Sequence, residues 1–212
     1  MHCPRLLLIG FFLFLVSPIA LRAQSAASSS SSKPKASHST NASTPDASAI
    51  TDGIYRNSFF AFSCKVPFGW VERTKDMKGD DADSAKSQVL LAVFERPPDA
   101  PGSTVNSAVV IAAEKAANYP GLKTAADYFD PLGELTAANG FKVVNEPYEF
   151  PVGAKKLARA DYSKDIDKLT MQQSTLVELE KGYVVSFTFI GGSEDEVESL
   201  IGNLSFAARA KQ

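Results

Sequence analysis

Residues 169–190, LTMQQSTLVELEKGYVVSFTFI, are two β-strands joined by a two-residue turn. Residues 169–180 and 183–190 are rich in β-branched, aromatic and aliphatic side chains, and Lys181-Gly182 is a tight hairpin connection between them. In the second strand Tyr183, Val185, Phe187 and Phe189 fall on one face, because side chains alternate along a strand. Directly after it, Ser193-Glu194-Asp195-Glu196 forms a capping box, Ser first and Glu three later. Val197, Leu200, Ile201 and Leu204 follow at helical spacing as one apolar stripe. A hairpin that runs into a capped amphipathic helix sets the class: strands that bury one face under a helix.

Upstream, more strands are expected at residues 54–57, 59–66, 88–95, 105–113, 141–145 and 155–162. Pro67-Phe68-Gly69-Trp70 is a turn, with Trp70 opening a further short strand. Val109-Val110-Ile111 is apolar on both faces and belongs in the middle of a sheet. A second helix is expected from Thr124 to about Ala138, ending at Asn139-Gly140. Pro131 inside it predicts a kink, or two short helices with Asp130 as the second cap. Strands dominate and the helices lie between and after them, which predicts an α+β domain with helices covering one or both faces of a largely antiparallel sheet.

The first fifty residues differ in kind. Met1-His2-Cys3-Pro4-Arg5 is a short, weakly positive start, and residues 6–20 are an apolar run of about fifteen, the length of a signal-peptide core and short for a membrane span. Ser17-Pro18 interrupts it, and Ala23 offers a cleavage position. Residues 1–23 are therefore expected to be a signal peptide, which places the mature chain in the periplasm or outside the cell with no membrane span. Residues 24–50 are almost all Ser, Ala, Thr, Lys and Pro, with no large apolar side chain until Ile50, the composition of a disordered tether. Residues 51–208 are the size of one globular domain, with 209–212 as a tail.

Two segments at the ends of that domain resemble the PsbP-like family. Tyr55-Arg56-Asn57, then Phe60-Ala61-Phe62-Ser63-Cys64-Lys65-Val66-Pro67-Phe68-Gly69-Trp70, is similar to its opening of tyrosine, extended strand, proline, glycine and tryptophan. The strand at 183–190, the helix carrying Glu196, and Leu204-Ser205-Phe206 are similar to its ending. The resemblance implies a three-layer α/β/α sandwich around an antiparallel sheet. It also implies a binding or assembly factor, since the family includes extrinsic photosystem subunits, a Ran-binding relative and exported bacterial proteins of unknown role. It implies no catalytic residue set and no cofactor.

Composition restricts the chemistry. The chain has 2 His, and they are His2 and His38, so the domain contains no Ser–His or Cys–His nucleophile pair and no His-containing zinc site. Of its 2 Cys, Cys3 leaves with the signal peptide and Cys64 lies among Phe60, Phe62 and Val66 on an apolar strand face, where a thiol acts as a small hydrophobe. There is no phosphate-binding glycine loop. Losing Arg5 and Arg22 from the 22 Lys and Arg, against 24 Asp and Glu, leaves a net charge of −4, which does not suggest nucleic-acid binding. Asp80-Asp81-Ala82-Asp83 lacks the ligand spacing of a calcium hand and is expected to be a solvated acidic loop.

Four residues remain as candidates for a ligand or partner surface. Phe68 and Trp70 either line a groove or, as we expect, cover a turn and anchor the core. Arg159 and Asp161 share a strand face and are expected to be an exposed pair. The sequence thus predicts a non-enzymatic exported module that binds an unidentified protein or small ligand. A secreted carboxylate hydrolase and a structural stalk at the envelope are the alternatives.

Overall fold

The computed structural model describes residues 44–45, 48–78, 87–97 and 99–207. The signal segment, most of the tether, the acidic loop at 80–83 and the tail lie outside them. Eleven strands and two α-helices are formed by the described residues: β1 (Ser48–Thr51), β2 (Ile54–Asn57), β3 (Phe62–Lys65), β4 (Val71–Glu72), β5 (Ser87–Phe94), β6 (Ala108–Lys115), α1 (Phe129–Ala138), β7 (Lys142–Val152), β8 (Lys155–Ile166), β9 (Leu169–Glu180), β10 (Tyr183–Gly191), α2 (Glu194–Ile201) and β11 (Leu204–Phe206). They make a seven-stranded sheet in the order β4-β5-β6-β10-β9-β8-β7 and a four-stranded sheet in the order β1-β2-β3-β11, with antiparallel pairing throughout.

The hairpin at 169–190 forms as its sequence predicts. Tyr183 pairs with Glu180, and Lys181 and Gly182 adopt φ of 52° and 79°, the left-handed pair of a tight turn. β10 lies at the centre of the large sheet between β6 and β9. Both faces of the sheet are therefore buried here: Val185, Phe187 and Phe189 are 0 % exposed on one side and Val184 is 1 % exposed on the other.

What covers the two faces corrects the expected architecture. The chain is not a three-layer α/β/α sandwich; it is mostly β. One face of the large sheet is covered by the small sheet together with α2, through Tyr55, Phe60, Phe62, Cys64, Val197, Leu200, Ile201 and Leu204. The other face carries α1 and two 3-10 turns, through Tyr128, Phe129 and Leu132. Helices of 10 and 8 residues are too short to roof both faces of a seven-stranded sheet. The strand alternation at residues 54–66 identified strands but not their sheet. β3 takes β2 and the C-terminal β11 as its neighbours and closes a second layer instead of widening the first.

The two helices start differently, α2 with a side-chain cap and α1 without one. At α2, Ser193 Oγ accepts from the backbone N–H of Glu196, and Glu196 Oε2 reaches back past Ser193 to accept from the N–H of Gly192 at 2.8 Å, a capping box displaced by one residue on its return bond. Ser107 Oγ also donates to Glu196, at 2.5 Å, fixing the helix to the start of β6. At α1, Pro131 causes no break. It occupies the first turn, where a missing N–H leaves no intrahelical bond unmade. No side chain caps α1, Asp130 included; one turn earlier Asp127, inside the preceding 3-10 turn, reaches back and accepts from the N–H groups of Lys123 and Thr124. Strand pairing begins at Ser48, and Asn57 Nδ2 donates to the Pro45 carbonyl at 2.8 Å, so the folded chain reaches back ahead of residue 51.

Phe187 meets Phe62 edge-on at 5.0 Å and Phe206 at 5.8 Å, in full burial. Phe187→Ala should cost about 3–5 kcal/mol in urea unfolding, while Phe68→Ala should change stability by less than about 0.5 kcal/mol. Cys64 is 1 % exposed, and burial pushes its thiol up to about 12. A thiol reagent should therefore label it in denaturant and only slowly in the native chain; rapid native labelling would show that β3 opens locally.

Candidate functional site

Between β10 and the β7 edge, the face beneath α2 changes from hydrocarbon to charge. Leu157, Arg159 and Asp161 alternate inward along β8. Leu157 joins the main core, and the two charged side chains continue the same face toward the strand end. They are not an exposed pair: Arg159 is 6 % and Asp161 8 % exposed. They are enclosed by side chains of β7, β9 and α2, which sequence alternation alone does not reveal.

Each partner comes from a different strand. Ser174 on β9 is the register partner of Asp161, and Arg159 Nη2 donates to Ser174 Oγ at 3.0 Å. Ser174 Oγ in turn donates to Asp161 Oδ1 at 2.5 Å, and Arg159 Nε donates to the same oxygen at 2.7 Å. On the other side, β7 shifts register twice, between Val143 and Asn145 and between Asn145 and Tyr148. The extra residues re-aim the strand so that Asn145 stands opposite Asp161 and Tyr148 opposite Arg159. Asn145 Nδ2 and Tyr148 Oη both donate to Asp161 Oδ2 at 3.0 Å. From above, Glu198 on α2 pairs with Arg159 Nη2 at 2.5 Å, and the guanidinium lies 4.6 Å from the centre of the Phe150 ring.

The electrostatics follow from these bonds. Burial pushes the Asp161 carboxyl up, but hydrogen bonds from Ser174, Arg159 and Asn145 outweigh it and hold it below the usual carboxylate range. Burial likewise disfavours charge on Arg159, and its bonds to Glu198 and Asp161 reverse that effect. The Tyr148 phenol is pushed up to about 12 by burial and by its bond to Asp161. Asp161 therefore stays ionised with four donors around it, and the Ser174 oxygen accepts from a cation. Neither group is free to move a proton.

Two further polar clusters flank this one. Lys155 Nζ donates to Glu178 at 2.5 Å and Glu180 at 3.2 Å and lies 4.7 Å above the Phe206 ring. Burial raises the Glu178 carboxyl above its ordinary value despite Lys155, and its Oε1 is buried without a hydrogen bond. On the opposite face, Tyr119 and Tyr128 both donate to Glu114. Among the described residues no group of three or more His, Cys, Asp or Glu is placed to hold a metal ion, and no helix is long and apolar enough to cross a membrane.

Phe68 and Trp70 lie elsewhere, and no contact of the Arg159 cluster reaches their turn. Trp70 is half-buried against the main core. Phe68 does not cover its turn; it is 106 % exposed. Gly69 at φ 84° turns the chain so that Trp70 points inward and Phe68 is left outside. Asn145, Tyr148, Ser174 and Glu198 were not singled out in the sequence. No local pattern marks them, because their partners lie on other strands and on α2.

No protein-family model matches the chain, and no curated protein matches it. Solved structures similar to it include PsbP (CyanoP) of Synechocystis sp. PCC 6803, with TM-score 0.46 and 14% identity over 73% of this chain and 91% of that one. LpqN of Mycobacterium tuberculosis, involved in cell envelope biogenesis, has TM-score 0.39 and 12% identity over 69% of this chain and 83% of that one. A Pseudomonas aeruginosa protein of unknown function has TM-score 0.34 and 16% identity over 48% of this chain and 68% of that one. Function is therefore sought in this chain's own side chains.

Asp161→Asn leaves Arg159 without its buried counter-charge and should cost about 3 kcal/mol at pH 7. Because the folded-state pKa of Asp161 is depressed, its contribution is full above the ordinary carboxylate range and is lost as pH falls. The gap between the two proteins in urea unfolding should therefore begin to narrow below about pH 4 and go on closing as pH falls further, and a gap independent of pH would rule out the ionised pair as its source.

Proposed function

We propose that this chain is a non-enzymatic binding or assembly module that works in the periplasm or outside the cell after removal of residues 1–23. The observation that carries the binding half is the saturation of Asp161. Two donors occupy each of its oxygens, so the best-organised polar cluster of the domain is rigid and chemically quiet. Preorganised groups that hold their charge and exchange no proton are suited to recognition. Around them Tyr148 is 39 % exposed and the Glu198 side chain 50 % exposed, which gives the cluster an open rim. Export is supported by Arg5, the apolar run at 6–20 and Ala23. The acidic balance of the mature chain supports a partner other than nucleic acid.

One observation favours a carboxylate hydrolase instead: Glu178, a raised carboxyl two residues from Glu180. Against it, Glu178 is 6 % exposed with Lys155 seated on it, so a substrate would first have to displace that lysine.

The exported protein should begin at or close to Gln24 on N-terminal sequencing. The purified chain should turn over no glycoside, ester, phosphate or peptide substrate above background. A photo-crosslinking phenylalanine in place of Tyr148 should give a discrete adduct in intact cells, with none from the same group at exposed Lys168. Turnover that co-purifies with the protein and disappears in Glu178→Gln would sink the binding assignment.

A further inference from the structure

We infer that the Arg159 patch recognises an uncharged, hydroxyl-rich ligand, a saccharide unit lying against Tyr148. This rests on the binding function proposed above and names its ligand class. The floor is built before any ligand arrives: Arg159, Asp161 and Ser174 are 6 %, 8 % and 3 % exposed and bonded to one another. The rim is open. Asn145 is exposed, as are 39 % of Tyr148 and half of the Glu198 side chain.

Charge excludes two ligand classes. The patch holds one cation, Arg159, against two carboxylates, Asp161 and Glu198, so a carboxylate or phosphate would enter a net negative field. The next cation on this face, Lys155, is already shared by Glu178 and Glu180 and does not change that balance. A cationic ligand is drawn by that field, but at the rings it would stand beside the Arg159 guanidinium, 4.6 Å from Phe150 and 5.8 Å from Tyr148, and be repelled by it.

The groups left over suit hydroxyls. Arg159 uses Nε and Nη2 internally, and Nη1 has no acceptor among the described residues, which leaves its two N–H groups as donors. Asn145 spends its amide N–H on Asp161, which leaves its carbonyl oxygen as an acceptor. Glu198 spends one oxygen on Arg159, which leaves the other. Donors and acceptors thus alternate along the rim, and adjacent sugar hydroxyls, each one donor with two acceptor sites, can satisfy both kinds. The Tyr148 ring supplies the apolar surface on which the C–H face of a pyranose packs.

The test is an NMR titration of the isotopically labelled full chain with the hexamers of N-acetylglucosamine and of glucose, with choline and lysine as cationic probes. One or both sugars should shift the resonances of Asn145, Tyr148, Glu198 and the Arg159 side-chain N–H groups. Tyr148→Ala should weaken binding about tenfold, equivalent to about 1.4 kcal/mol. Tyr148→Phe, which keeps the ring and loses the bond to Asp161, should retain it. Shifts caused by choline or lysine with none from either sugar would overturn the ligand class and leave a binding function standing. Silence from all four probes would likewise overturn it. Shortening of a hexamer in the same tube would instead overturn the binding function itself.

Discussion

Three phenylalanines hold the two sheets together. Phe187 belongs to the central strand of the large sheet, Phe62 to the third strand of the chain, and Phe206 to its last strand; their rings meet at 5.0, 5.8 and 6.3 Å. Phe206 is also the register partner of Phe62 across β3 and β11. The start and the end of the domain are thereby stitched side by side over its middle. The position of α2 depends on this arrangement, because the helix is strung between β10 and β11 and has nowhere to pack except beside the small sheet.

The charged edge is a consequence of the same geometry. A four-stranded sheet and a helix of 8 residues cover the large sheet around β10, and over β7 and β8 the apolar core ends at Val152 and Leu157. Hydrocarbon there would stay wet, and isolated charge would be costly under a partial roof. The chain finishes the face with charges that neutralise one another: Lys155 with two glutamates, Arg159 with Asp161 and Glu198. Such clusters add little net stability compared with a packed apolar patch. Their value here is that they fix a particular arrangement of polar groups at an accessible margin.

Local pattern was legible in the sequence, and layer assignment was not. The 169–190 hairpin, the capping box at Ser193 and the burial of Cys64 follow from residues that are neighbours in sequence, and each is found where alternation and capping put it. The small sheet was invisible because its closing strand, Leu204–Phe206, lies about 140 residues from its partner and is only 3 residues long. β7 was read as five residues and is 11. Two register shifts, Pro147, Pro151 and solvent on both faces erase the period-two signal that marks a strand. That loss also hid the site, since Asn145 and Tyr148 reach Asp161 only because those shifts re-aim them. Of the four sequence candidates, Arg159 and Asp161 are brought together, while Phe68 and Trp70 stand apart on a different edge of the fold.

The small sheet has a mechanical side. β1, four residues with Thr51 next to the turn at Asp52 and Gly53, is an edge strand paired only with β2. A load pulled along the chain from ahead of Pro45 acts first on its bond to Asn57 and then draws the hydrogen bonds of β1 open one after another, like a zip. Bonds loaded singly yield at low force, so β1 parts first. Tyr55 and Asn57 on β2 remain seated in the core, 2 % and 1 % exposed. The leading strand then acts as a mechanical fuse: tension is spent on extending a few residues of chain, and the layers that carry the Arg159 patch are spared.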